Sequence, residues 1–374
     1  MLVPKAQELV ATPYRFGGSK NKAREFFETG LGKVFEWIRA TEHPDYPLTV
    51  YYAFKQAESE DDSDTRDDEN GSNGTKVVAS TGWETMLEGL IYSGFTITGT
   101  WPIHTESAGR SVAQGTNVLA SSIVLVCRPR PINAPIASRR QFLNALRAEL
   151  PAKLKLLQHG SIAPVDLAQT SIGPGMAIYS RYSKVVESDG TPLRVRTALQ
   201  LINRALDEAL AEQESEYDAE TRWAVAWFEE YAMNAGEYGR AETLSKAKNT
   251  AVQALEHAGL VVSRAGKVRL VKREELPNNW NPKTSRLTVW EVMQRMIHEL
   301  QDGKGDTGAG DILRQASAQG EVARDLAYRL YTVCERKGWS QEAQAYNSLV
   351  TSWLEISRLA HRQADSVQQA TFLE

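Results

Sequence analysis

Cysteine is nearly absent from this chain, with only Cys127 and Cys334 among 374 residues. The two lie far apart, each inside an apolar or amphipathic segment. A disulfide framework and a Cys-rich zinc site are therefore excluded, and two buried free thiols are expected. Long apolar runs are also missing, since none approaches the roughly 20 residues that a spanning helix needs. No charged, apolar and small-residue leader opens the chain, so a water-soluble protein in the cytoplasm, with no membrane partner, is expected. Of the six histidines, His104 has no second His or Cys at ligand spacing, and Glu106 two residues on would point the opposite way on a strand. No metal site is expected.

Charges of the two signs nearly balance overall but not locally. The net charge is -4, yet Glu58 to Glu69 holds eight acidic residues against the single Arg66, and outside that segment the chain is net basic. AESEDDSDTRDDENGSNGTK (57–76) has almost nothing to bury and cannot offset its own ordering entropy, which predicts a loop.

The remaining pattern is α/β followed by mostly α. Ser19 is a candidate N-cap for a helix in which Phe26, Phe27, Leu31, Val34, Phe35 and Ile38 recur at helical spacing, stopped before Pro44. Leu48 to Gln56 is β-branched and aromatic and apolar on both faces, which predicts a central strand covered on each side. A helix carrying Trp83, Met86, Leu87, Leu90 and Ile91 on one face then stops at Gly94. Two strands follow, Phe95 to Ile103 and Ser121 to Arg130, joined by a long polar connection. This order is the second half of an open α/β sheet whose last two strands form an antiparallel pair at one edge. It occupies residues 1–131, and a helical domain is expected over 132–235, with Gly173, Pro174 and Gly175 making a turn.

Residues 236–287 read as a winged-helix-like unit: a short helix, a turn, a second helix and a hairpin turning at Ala265-Gly266. From 288 to 374 the chain reads as a C-terminal helical domain, where Tyr328, Tyr331, Trp339, Tyr346 and Trp353 fall at core spacings.

Two groups of residues are candidates for binding. In open α/β sheets ligands sit beyond the C-terminal ends of the parallel strands. Thr105, Glu106, Arg110 and Asn117, in the loop leaving such an end, either form an active-site edge loop or cap the sheet edge; Lys55 and Gln56 open on the same edge. The second group lies in the winged-helix-like unit. There Arg240, Lys246, Lys248, Arg264, Lys267, Arg269, Lys272 and Arg273 oppose only Glu242 and Glu256 within the segment. An excess of cations on a helix-turn-helix and its wing is the electrostatic footprint of phosphate contacts. Lys246, Lys248, Asn249, Arg264, Lys267 and Arg269 are the DNA-binding candidates, although such units also serve protein contacts. Arg128, Arg130, Arg139 and Arg140 form a further cluster, either phosphate-facing or simply solvated.

Four strings carry a family resemblance: GWETMLEGLIYSGFTITGTWPIHTE (82–106), NVLASSIVLVCRPRP (117–131), SIGPGMAIYSRYSKV (171–185) and LAYRLYTVCERKGWSQEAQAYN (326–347). Together they resemble the C-terminal part of large bacterial adenine-specific DNA methylases found near phage-defence genes. The resemblance implies the C-terminal half of a methyltransferase-like open sheet, DNA as partner, and S-adenosylmethionine as cofactor of the complete enzyme. An adenine amino nitrogen would attack the cofactor's methyl group, the target base having been flipped out of the duplex.

In that family an upstream half carries the Gly-rich cofactor turn and the Asp-Pro-Pro-Tyr type motif, and this sequence holds no Asp-Pro-Pro or Asn-Pro-Pro. Thr12-Pro13-Tyr14 has one proline and no leading carboxylate or amide, and Gly17-Gly18 follows no apolar strand. No catalytic and no cofactor-binding residue is therefore assigned. The chain is expected to be inactive alone and to work with a missing methylase half, another defence-system subunit or a second copy of itself. The rival expectation is a non-enzymatic DNA-binding or assembly subunit.

Overall fold

The computed structural model describes residues 8–53, 81–104, 121–277, 280 and 287–361. They fall into two compact units: 8–53, 81–104, 121–155 and 168–207 in the first, and 156–167, 208–277, 280 and 287–361 in the second. The acidic segment 57–76 lies outside the described residues.

In the first unit, a short 3-10 turn (Pro13–Phe16) ends at Gly17 in the left-handed region and leads into α1 (Lys20–Thr41). Ser19 caps α1 as the sequence predicts, its hydroxyl accepting from the Lys22 amide at 3.3 Å. Ala23, Leu31 and Phe35 form the buried stripe, whereas Phe26 and Val34 are exposed. β1 (Leu48–Ala53), α2 (Thr81–Tyr92), β2 (Phe95–His104) and β3 (Ser121–Pro129) then build one three-stranded sheet, ordered β1-β3-β2. β3 is antiparallel to both neighbours, so β1 and β2 run parallel with the last strand inserted between them.

Register divides the sheet into two faces. Leu125, Cys127, Ile97 and Ile123 line the buried face, where Trp83 of α2 meets Tyr52 at 5.1 Å between ring centroids. On the other face Val124 is opposite both Tyr51 and Trp101, and these two aromatics are 69% and 54% exposed. Directly opposed residues point the same way, so the three form one row across the strands. A bulge at Thr98 shifts the register, and the Trp101 ring lies over Gly99, leaving no room for a side chain there. Among the described residues β1 is an edge strand covered on one face, where its composition predicts a central, doubly covered strand. Among the described residues it pairs with β3 alone and presents Tyr51 to solvent. A hexamer that is apolar or aromatic at every position but Thr49 does not distinguish a covered strand from an edge strand that carries one exposed aromatic.

The chain continues through β4 (Ile136–Ser138), α3 (Arg139–His159), α4 (Pro164–Ser180), β5 (Lys184–Val186) and α5 (Val195–Glu212), β4 and β5 pairing in parallel. Here a second expectation fails, because Gly173, Pro174 and Gly175 do not turn but lie inside α4. A Cβ at Gly173 would sit 1.9 Å from the Thr100 hydroxyl and one at Gly175 would sit 2.5 Å from Ile202. The glycines allow close approach of neighbouring elements, and that packing overrides the local turn preference.

In the second unit a 3-10 turn (Gln213–Glu216) leads to α6 (Ala219–Tyr231), which Asp218 caps through the Thr221 amide at 2.7 Å. β6 (Gly236–Glu237), α7 (Tyr238–Ala247), α8 (Val252–His257), β7 (Val261–Arg264) and β8 (Lys267–Leu270) follow, their sheet ordered β6-β8-β7. The helix, turn, helix and hairpin stand where the sequence predicts, with the hairpin turning at Ala265-Gly266, both at positive φ. Trp223, Trp227 and Phe228 of α6 are wholly buried, and the first two stack at 5.0 Å. The helices α9 (Val289–Asp302), α10 (Asp306–Ala316), α11 (Ala318–Lys337) and α12 (Ser340–Thr351) complete the unit.

Tyr328, Tyr331, Tyr346 and Trp353 are buried there as core residues, and Trp339 packs edge-on against Phe228 at 5.5 Å. Arg329 is buried between Glu214, at 3.0 Å, and Glu229, at 2.5 Å. Among the described residues, no helix is long and apolar enough to cross a membrane and no group of His, Cys, Asp or Glu could hold a metal ion.

Candidate nucleic-acid interface

The cations between Arg240 and Arg273 outnumber the acids of the same segment, but acids from elsewhere in the fold alter that balance. Arg240 forks onto Glu230 of α6, at 3.0 and 2.8 Å. Lys246 pairs with Glu242 one turn back on α7, at 3.1 Å. Arg269 of β8 makes a two-pronged pair with Glu275, at 2.6 and 2.7 Å, and Lys272 lies 3.9 Å from Glu274. The Arg273 guanidinium is half-buried, donating to Gln294 at 2.6 Å and to both carboxylate oxygens of Glu342.

These pairs shift proton affinities in the expected directions. Hydrogen bonds from Arg269 first, and then from the Lys272 backbone amide, push the Glu275 carboxyl down to about 2. The Arg240 hydrogen bond likewise lowers Glu230.

Three cations have no such partner among the described residues. Lys248 lies in the turn between α7 and α8, and Arg264 and Lys267 are cross-strand neighbours flanking the hairpin tip. Arg264 and Lys267 are exposed and Lys248 is half-buried. Asn249 follows Lys248 at φ +57, exposed, its left-handed backbone making the turn that separates the two helices. Of the six residues expected to meet DNA, the fold leaves Lys248, Asn249, Arg264 and Lys267 available and engages Lys246 and Arg269 internally.

The second basic cluster is mostly committed to the fold as well. Arg130 donates to the carbonyls of Ile91 and Ser180, Arg128 to the carbonyl of Asp45, and Arg139 to Glu187. Arg140 is exposed.

α8 carries a feature that the count of charges missed. Val252 and Leu255 are buried against the unit's core, which turns Gln253, Glu256 and His257 outward at i, i+3 and i+4. The spacing of Val252 and Leu255 in the sequence marks this face, which carries no Lys or Arg.

The parallel strands β1 and β2 end on the same side of their sheet, at Ala53 and His104. The residues expected to line that edge, Lys55, Gln56, Thr105, Glu106, Arg110 and Asn117, lie outside the described residues. Gly17 and Gly18 do not fit an S-adenosylmethionine cradle. They follow a 3-10 turn rather than a strand, and Gly17 serves as that turn's left-handed cap.

A family model described as a domain of unknown function (DUF8807) matches residues 218–372, a stretch that includes the helix-turn-helix, its hairpin and helices α9 to α12. No curated protein matches the chain and no solved structure does. Over residues 218–372 the chain is therefore similar to a family whose function is undefined.

Proposed function

We propose that this chain is the C-terminal portion of an S-adenosylmethionine-dependent DNA adenine methyltransferase, acting in the cytoplasm. Its sheet shapes the target-site edge and its winged-helix-like unit engages the duplex. The cofactor-binding and transfer residues belong to an upstream methylase half, and the chain does not methylate alone. The observation that carries the DNA role is the uneven neutralisation of the basic unit: Arg240, Lys246, Arg269, Lys272 and Arg273 are paired, while Lys248, Arg264 and Lys267 are left on the turn and the hairpin. Unpaired cations on the turn and the hairpin of one unit suit phosphates, contacts to which position a protein on DNA without reading sequence.

The methylase part of the reading draws support from the four resembling strings and from the sheet. Two parallel strands with an antiparallel one between them, and the exposed rings of Tyr51 and Trp101 on either side of the buried Val124, suit the closing half of a larger open sheet whose remaining layer is supplied by a partner. The absence of Asp-Pro-Pro and Asn-Pro-Pro favours a second reading, a DNA-binding or assembly subunit without enzymatic activity.

Two measurements on the isolated chain test the proposal. Fluorescence anisotropy with a labelled duplex should show binding in the range usual for non-specific contacts, about 10⁻⁴ to 10⁻⁶ M at physiological salt. S-adenosylmethionine should leave the melting temperature unchanged, since a ligand that binds the native state raises it by mass action. A chain that ignores duplex DNA contradicts the DNA role. A clear shift with the cofactor contradicts its assignment to the upstream half.

A further inference from the structure

α8 combines three properties that together point beyond phosphate binding. Its outward face carries Gln253, Glu256 and His257 and no Lys or Arg, while the unpaired cations flank it as Lys248 before the helix and Arg264 and Lys267 on the hairpin after it. A face holding a carboxylate is repelled by phosphates, so it is unsuited to gripping the backbone itself. Set between cations that do so, a polar face with little charge suits the floor of the major groove, where base edges present neutral donors and acceptors. Gln253 is exposed and engaged in no hydrogen bond among the described residues, so its amide is free for an external partner.

We propose that Gln253 is a base-reading residue, and that the base it reads is adenine. This rests on the DNA reading above and adds sequence specificity to it. A primary amide is donor and acceptor at once and meets the N6 amino group and N7 of adenine in a two-pronged bond. Guanine offers two acceptors there and cytosine one donor, so neither matches both ends of the amide. The one such pair corresponds to about 5- to 150-fold discrimination against the wrong base. In the second helix of a helix-turn-helix, side chains at Gln253's position are among those that reach base edges.

The test uses the full chain and a pool of 40-base-pair duplexes with a randomised centre, selected for binding and then sequenced. Wild type should enrich a motif with one fixed A·T position. Gln253→Ala should relax that position while its affinity for the unselected pool stays within about twofold. Gln253→Glu should move the preference towards cytosine, whose N4 amino group a carboxylate accepts. Because Gln253 is exposed, both variants should melt with the wild type, and circular dichroism checks this. Wild type that binds the pool yet enriches no motif, or Gln253→Ala that enriches the same motif, overturns the assignment while leaving phosphate binding in place. Failure of every variant to bind any duplex at low salt overturns both readings and leaves α8 as a protein-docking face.

Discussion

The Thr100 hydroxyl donates to the carbonyl of Thr170 at 2.8 Å, and this is the acceptor that Pro174 leaves without its helical partner. Proline has no amide hydrogen, so the i to i-4 bond that would end on Thr170 cannot form. A strand residue supplies it instead. Gly173 lacks the Cβ that would collide with the same Thr100 side chain, so the glycine and the proline of the SIGPG string are both explained by one residue of β2.

Replacing Thr100 by Val keeps the shape and removes the donor. Since Thr100 is only 5% exposed, the variant would lose a hydrogen bond made inside the fold, at a cost of about 1 kcal/mol. Gly173→Ala should cost about as much through overpacking. Denaturant melts of the two variants check this. Wild-type stability in Thr100→Val would contradict the role given to the hydroxyl.

Neither thiol should be reactive in the folded protein. Burial, and then the nearby Glu42, pushes the Cys127 thiol up to about 12, and burial pushes Cys334 well above its usual range. Both side chains are inaccessible. Titration with a thiol-reactive disulfide at pH 8 should modify neither residue natively and both in strong denaturant. Rapid native modification of either would contradict the packing around it.

The Arg269 and Glu275 pair gives a pH dependence of definite sign. Glu275 is depressed in the folded state, from 4.5 to about 2. Its contribution is therefore complete above pH 4.5 and is lost as pH falls towards 2. Glu275→Gln should be less stable than wild type at pH 7, and the difference should shrink across that window. Solvent screening of this exposed pair keeps the effect small. A difference that grows on acidification would contradict the pairing.

Local chemistry was legible wherever the determinants were neighbours in sequence. The Ser19 cap, the helical spacing of Trp83, Leu87, Leu90 and Ile91, and the Ala265-Gly266 turn all follow from residues within a few positions of one another. What was not legible depends on distant partners. Gly173 and Pro174 look like a turn until Thr100, a residue of a distant strand, is beside them. The basic segment looks uncompensated until Glu230, Glu275 and Glu342 are found opposite its arginines. β1 looks covered on both faces because exposure cannot be read from the residue types in LTVYYA.

In the proposed interface Lys248, Arg264 and Lys267, rather than the whole set of cations, carry the chain onto DNA. The most direct test is the slope of log affinity against log salt for duplex binding, which scales with phosphates contacted at about 0.9 per contact. The combined Lys248→Ala, Arg264→Ala and Lys267→Ala variant should reduce the slope by about 2 to 3. The combined Lys246→Ala and Arg269→Ala variant should leave it near wild type. Equal slopes in wild type and the triple variant, or a larger loss in the double variant, would contradict the account.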